Sequence, residues 1–246
     1  MSPSNSSSEN NFNITGSSIT NLTGSGNIYY NNATSQSGQQ NIGDSDSQKL
    51  PAPASIITSA IKTILFLAAN PKGSPQLRLD EEVREIDAGL QRTQRSDQFV
   101  LKQRWAVRPR DIQRAMLDYQ PQIIHFSGHG AGVEGLVLEN ETGKTQLVDT
   151  AALSGLFELF CDQVECVVLN ACYSQTQAEA IAQYIPYVIG MSKEIGDQAA
   201  IEFAVGFYDA IGAGKSVEFA YKLGCNTISM SGIAEHLTPV LRKKST

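Results

Sequence analysis

The sequence predicts an α/β fold: a mostly parallel sheet with helices on both faces, preceded by a low-complexity polar tail. Three observations carry that reading. From about residue 61, short apolar runs of strand length alternate with amphipathic segments of helical period. The strand candidates are near-continuous apolar runs, as expected of strands buried on both faces. The composition also changes sharply near residue 48. Residues 1–48 hold three of the 25 acidic residues (Glu9, Asp44 and Asp46) and none of the 19 basic ones.

The elements follow in order. Thr63–Ala69 is a first buried strand, and Leu79, Val83, Ile86 and Leu90 recur at the spacing of an amphipathic helix. Phe99–Val107 reads as a second strand and Arg110–Tyr119 as a helix with Ile112, Ala115 and Met116 inward. Ile123–Ser127 is a third strand. Leu136–Glu139 and Gln146–Val148 flank Thr142-Gly143 as a hairpin. A helix over Ala151–Phe160 leads to a fourth strand, Val164–Asn170. Thr176 and Glu179, at capping-box spacing, predict a helix over Thr176–Tyr184. Tyr187–Met191 is a fifth strand, followed by helices over Gln198–Ile211 and Val217–Leu223 and a short edge strand at Pro239–Leu241.

The domain organisation is a tail over 1–48, a stiff linker over 49–60 containing Pro51 and Pro53, and a domain over 61–246. The tail spreads Phe12, Ile14, Ile19, Leu22, Ile28, Tyr29 and Tyr30 through a Gly/Ser/Asn background. Asn13–Ser17 and Asn21–Ser25 rhyme, and Asn27-Ile28 begins a third copy. Uncharged, β-prone pieces between turns suit homotypic β-assembly over residues 12–32, because nothing repels in register and Asn side chains form ladders. Such a segment is also compatible with a disordered polar leader in the isolated monomer.

Composition excludes several classes. The net charge of −6 argues against nucleic acid or an anionic membrane surface as a main partner. No run approaches a membrane span, and the first 30 residues carry no secretory signal, so a cytoplasmic location is expected. Cys161, Cys166, Cys172 and Cys225 form no C-x-x-C pair and do not combine with the histidines at metal-ligand spacing. No metal or cofactor is expected. Gly212–Ser216 looks like the end of a phosphate loop but has Asp209 where the first glycine belongs. It reads as a helix end followed by Ser216 as the next N-cap.

The chemistry points to two strand ends, where α/β sheets bind ligands. The third strand runs into His125–Gly130 (HFSGHG) and the fourth into Leu169–Ser174 (LNACYS). Neighbouring strands lie about 4.8 Å apart. If these two are neighbours, the imidazole of His129 comes within reach of the Cys172 sulfur, as a base beside a nucleophile. The amides of Gly130 and Cys172 are candidates for an oxyanion hole, and a helix starting just after Cys172 would favour its thiolate. His125, inside an apolar run, reads as a core histidine, and the other three cysteines as packing.

These two motifs resemble the signature motifs of the CHAT family, caspase-like peptidases related to separases. The similarity extends over roughly residues 62–242, including Leu65–Pro71, Trp105–Arg108, Val188–Met191 and Ala200–Tyr208. The resemblance implies a caspase–haemoglobinase fold and cysteine endopeptidase activity on a protein or peptide substrate, with His129 as base, Cys172 as nucleophile and Gly130 in the oxyanion hole. Asn170 matches a position that lines the pocket for the substrate residue before the scissile bond. Asp197, after the fifth strand, would add an acidic wall to that pocket, or else cap the following helix. Regulation by calcium is not implied. The tail resembles amyloid-type signalling segments of bacterial effectors and their sensor partners, which implies activation by assembly with itself or with an upstream sensor. Two alternatives stay open: a non-catalytic scaffold, and another thiol acyl hydrolase or transferase.

Overall fold

A computed structural model describes residues 61–245, so the tail, the linker and any assembly through residues 12–32 lie outside the described residues. Six strands form the main sheet in the order β2-β1-β3-β7-β8-β9. They are β1 (Lys62–Ala68), β2 (Phe99–Arg104), β3 (Ile123–Ser127), β7 (Cys166–Asn170), β8 (Tyr187–Met191) and β9 (Pro239–Lys243). The first five run parallel, and β9 closes one edge antiparallel to β8. A second, three-stranded antiparallel sheet joins β4 (His129–Gly130), β5 (Leu136–Glu139) and β6 (Thr145–Val148).

Alternation along each strand sorts the core into two layers. Ile64, Phe66 and Ala68 of β1 pack with α1 (Leu79–Gln91), α5 (Asp197–Gly212) and α6 (Val217–Met230). Leu65, Leu67 and Ala69 pack on the other face with α2 (Pro109–Tyr119), α3 (Thr150–Leu159) and α4 (Gln175–Ile181). This is the expected α/β architecture. The chain leaves β1 for β2 on one side and returns to β3 on the other. A topological switch point therefore falls between β1 and β3, beside the strand that carries the histidine motif.

Several boundaries differ from expectation. β2 stops at Arg104 because Ala106 takes a left-handed conformation, φ 52°, that no strand can continue. α4 ends at Ile181 rather than Tyr184, and the capping box of Thr176 and Glu179 does not form. Ser174 takes the N-cap position, and its hydroxyl is used elsewhere. α6 runs to Met230, well past Leu223. The segment Gly212–Ser216 behaves as read from sequence: Gly214 turns at φ 72°, and Ser216 caps α6 by accepting from the Phe219 amide.

Candidate active site

β3 and β7 are neighbours, and Ser127 pairs with Asn170 in register. His129 and Cys172 each follow one of these partners by two residues. After Ser127 the chain leaves the main sheet. A Cβ on Gly128 would come within 2.7 Å of the Ala69 carbonyl, so only glycine fits the exit. His129 and Gly130 then enter the small sheet. The Ala131 amide donates to the Gly135 carbonyl, which makes that pair a hydrogen-bonded rung. Rungs alternate in an antiparallel ladder, so the Gly130/Leu136 pair is not hydrogen-bonded and the Gly130 N–H turns away from β5.

His129 is half-buried, and its Nε2 lies 2.9 Å from the carbonyl oxygen of Pro75, on the loop between β1 and α1. A carbonyl only accepts, so Nε2 carries the proton and Nδ1 presents the lone pair. Pro75 was not foreseen, because no sequence pattern marks a backbone carbonyl 54 residues from its partner.

Cys172 sits in a sharp turn. Tyr173, immediately after it, has φ 57° and is 48% exposed, and its amide donates to the Lys193 carbonyl. Left-handed backbone on a bulky residue is sparsely populated and concentrates at functional turns. The Ser174 hydroxyl locks the turn, donating to the Leu169 carbonyl and accepting from the Met191 amide, each at 2.9 Å. The Cys172 thiol is half-buried and lies 3.7 Å from the Ile195 carbonyl. α4 has seven residues and begins three positions after Cys172, so its dipole adds less than the sequence suggested.

The two strand ends meet backbone to backbone. A Cβ added to Gly130 would stand 2.0 Å from the Cys172 carbonyl oxygen and 3.3 Å from its nitrogen. His129, Gly130 and Cys172 therefore share one small region. In the conformation described, the thiol faces Ile195 and the imidazole faces Pro75, with no hydrogen bond between them.

The other two predicted residues are placed differently from expectation. Asn170 is 3% exposed, and its amide donates to Glu82 Oε1 at 2.6 Å and to the Ala200 carbonyl at 3.1 Å. It is spent inside the protein rather than turned to a substrate. Asp197 is the first residue of α5, with Gly196 as N-cap. Its carboxylate receives the Arg78 amide at 3.1 Å and the Arg78 Nε at 2.6 Å, so a guanidinium already neutralises the expected acidic wall. His125 is fully buried, as read from sequence.

Sequence reading also missed Glu82, which is 2% exposed. The signal was available: an acid on the apolar stripe of α1, three residues after Leu79 and four before Ile86. Among the described residues, no cluster of three His, Cys, Asp or Glu side chains is placed to hold a metal ion. No helix among them is long and apolar enough to cross a membrane.

The CHAT domain model matches residues 25–221, most of the chain. The chain belongs to the CHAT family. The match begins inside the segment assigned to the tail. A Roc-COR-CHAT protease from an unknown prokaryotic organism is 25% identical over 181 residues, which is 70% of this chain and 17% of that protein. A probable protease of Gillisia limnaea is 25% identical over 202 residues, 76% of this chain and 36% of its own length. This chain thus spans about a third or less of these curated relatives. Among solved structures, a secreted C11 cysteine protease from Bacteroides thetaiotaomicron superposes with a TM-score of 0.56 at 12% identity. That superposition covers 75% of this chain and 66% of the other, and establishes a caspase-like fold for this CHAT domain.

Proposed function

We propose that this CHAT domain is a cysteine endopeptidase whose nucleophile is Cys172 and whose base is His129. The observation that supports the reading is the close approach of the Gly130 backbone to the Cys172 backbone at the ends of adjacent parallel strands, next to the residue that carries the imidazole. The protease names of the two curated relatives support it.

The chemistry follows from the hydrogen bonds. With Nε2–H held by Pro75, the Nδ1 lone pair takes the thiol proton as the sulfur leaves Ile195 and attacks the scissile carbonyl carbon. The carbonyl oxygen gains the negative charge and accepts from the Gly130 and Cys172 N–H groups. Collapse of the tetrahedral intermediate breaks the C–N bond, and the imidazolium returns its proton to the departing amine. A water then gives a proton to Nδ1 and attacks the thioester. Its products are the acid and the free thiol. Asn170 and Asp197 serve this site by holding its frame, the Asn170 NH2 on Glu82 and Ala200 and the Asp197 carboxylate on Arg78.

The site is proposed to act as an effector activated by assembly, with residues 12–32 stacking on copies of themselves or on a like segment of a sensor, raising the local enzyme concentration. The uncharged repeats of the tail support that part. The test of the chemistry is a positional-scanning peptide library, screened before and after induced assembly. Cys172→Ala and His129→Ala should each abolish cleavage of every responsive peptide while keeping the folded circular dichroism spectrum. Cleavage retained by Cys172→Ala would overturn the assignment. Turnover of small acyl esters alone would favour a thiol acyl hydrolase instead. The assembly claim is separate: a peptide of residues 1–48 that stays soluble and binds no amyloid dye would remove it.

A further inference from the structure

We propose that Glu82 is a positioning residue that ties the two catalytic strand ends together from beneath, an inference that rests on the His129/Cys172 reading. Glu82 projects from α1 under β3 and β7. One carboxylate oxygen, Oε2, accepts from the Ser127 hydroxyl. The other, Oε1, accepts from the Asn170 amide at 2.6 Å. Ser127 and Asn170 face each other across the two strands, and each stands two residues before a reacting group. One rigid carboxylate therefore spans the last rung that supports both loops.

That rung is where the sheet stops helping. Above it, the hydrogen bond between the two strands is a long one, from the Gly128 amide to the Asn170 carbonyl at 3.3 Å. Gly128 then turns into the small sheet and Ala171 into the cysteine turn. The carboxylate is itself held. His125 Nε2 lies 2.8 Å from Oε1, in contact but off the line of a good hydrogen bond. The His125 ring stacks on Phe66 at 5.2 Å, and its Nδ1 meets the Tyr208 hydroxyl at 3.2 Å. The second Asn170 amide hydrogen reaches the Ala200 carbonyl, extending the tie to α5. Glu82, His125, Ser127, Asn170 and Tyr208 are each 3% exposed or less.

A buried carboxylate is a costly way to fill space, and a leucine at this position would pack α1 more cheaply. What the carboxylate adds is a bidentate acceptor of fixed geometry for two donors on different strands. Leucine keeps the bulk but offers no acceptor, so it can hold neither Ser127 nor Asn170, whereas glutamine could still hold both by donating to the Ser127 hydroxyl. Glu82 touches neither substrate nor the reacting atoms. It acts through Ser127 and Asn170.

The experiment reads Cys172 without a peptide substrate. Iodoacetamide alkylation of Cys172 is followed by mass spectrometry against Cys161 in the same molecule, from pH 5 to 9, on the full chain. His129→Ala defines the profile of a thiol without its base. Glu82→Leu should fall onto that profile and react about tenfold to a hundredfold more slowly at pH 7. Ser127→Ala should move the same way by less. Ile228→Ala, which opens a cavity in the core under α6, should lower the thermal midpoint and leave the Cys172 profile in place. If Glu82→Leu does not fold, Ser127→Ala decides. Folded variants at Glu82 or Ser127 that keep the wild-type profile would overturn the inference and leave the proposed function standing. A wild-type profile identical to that of His129→Ala would overturn the nucleophile–base reading, and this inference with it.

Discussion

His129 presents one nitrogen because Pro75 engages the other, and that division follows from a carbonyl having nothing to donate. The same economy governs Gly130, where any side chain would collide with the Cys172 carbonyl. Gly130→Ala is expected to cost about 1–3 kcal/mol, the range for forced overpacking, and to abolish cleavage by spreading the two loops. Denaturant melts and peptide turnover measured together check it, and wild-type values in both would refute it. The cysteines separate by environment. Full burial pushes the Cys166 thiol far up, so at pH 7 a small alkylating reagent should label Cys161 and Cys172 and spare Cys166 until the protein unfolds. Peptide mapping after native and denatured labelling tests that order.

Two connections at the element scale set the site and the sheet edge. The loop from β1 to α1 carries Pro75 and is anchored by Arg78, which bonds Asp197 and Gln198 of α5 and Glu81 of its own helix. These groups are about half to one-third exposed, so Arg78→Ala should cost little stability. Its larger effect should fall on turnover, since the loop that orients His129 loses its anchor. Unchanged turnover would remove the loop from the mechanism. At the far edge, β9 is tied by Lys243 to Glu218 and by Arg242 to Glu179. The Lys243 bond holds the Glu218 carboxyl down at about 2, against an ordinary 4.5. A depressed carboxyl stabilises the native state above its unfolded pKa and loses that contribution as pH falls through its folded one. Wild type should therefore exceed Glu218→Gln in thermal midpoint at pH 6, and the difference should vanish between about pH 4.5 and 2. A constant difference across that window would contradict the pairing.

Across the whole molecule, one sheet separates two apolar layers, and the candidate chemistry lies at the carboxyl ends of its central strands. The layer holding Phe203, Phe207 and Tyr208 on α5 also surrounds the polar cluster around Glu82. Truncating Phe203, fully buried and stacked on Phe207 at 6.0 Å, should cost about 3–5 kcal/mol by equilibrium denaturation. A loss below 1 kcal/mol would mean that α5 packs less tightly than its burial indicates. This core supports the site from behind, so site geometry and global stability share residues on α1 and α5.

Much of this was legible in the amino-acid order. Near-continuous apolar runs fixed the central strands, because a strand buried on both faces has no polar position to alternate. Glycine pairs and a strand-end cysteine marked the site, and His125 was readable as core from its apolar neighbours. A motif gives Asn170 a position along a strand, and order alone puts Asp197 after one as pocket wall or helix cap, while the direction of a side chain depends on what packs opposite it. Glu82 and Arg78, each distant in sequence, took up those two polar groups. Local periodicity thus determined which segments fold. Only tertiary packing decided which polar atoms were left for chemistry, since that depends on partners 54 to 119 residues away.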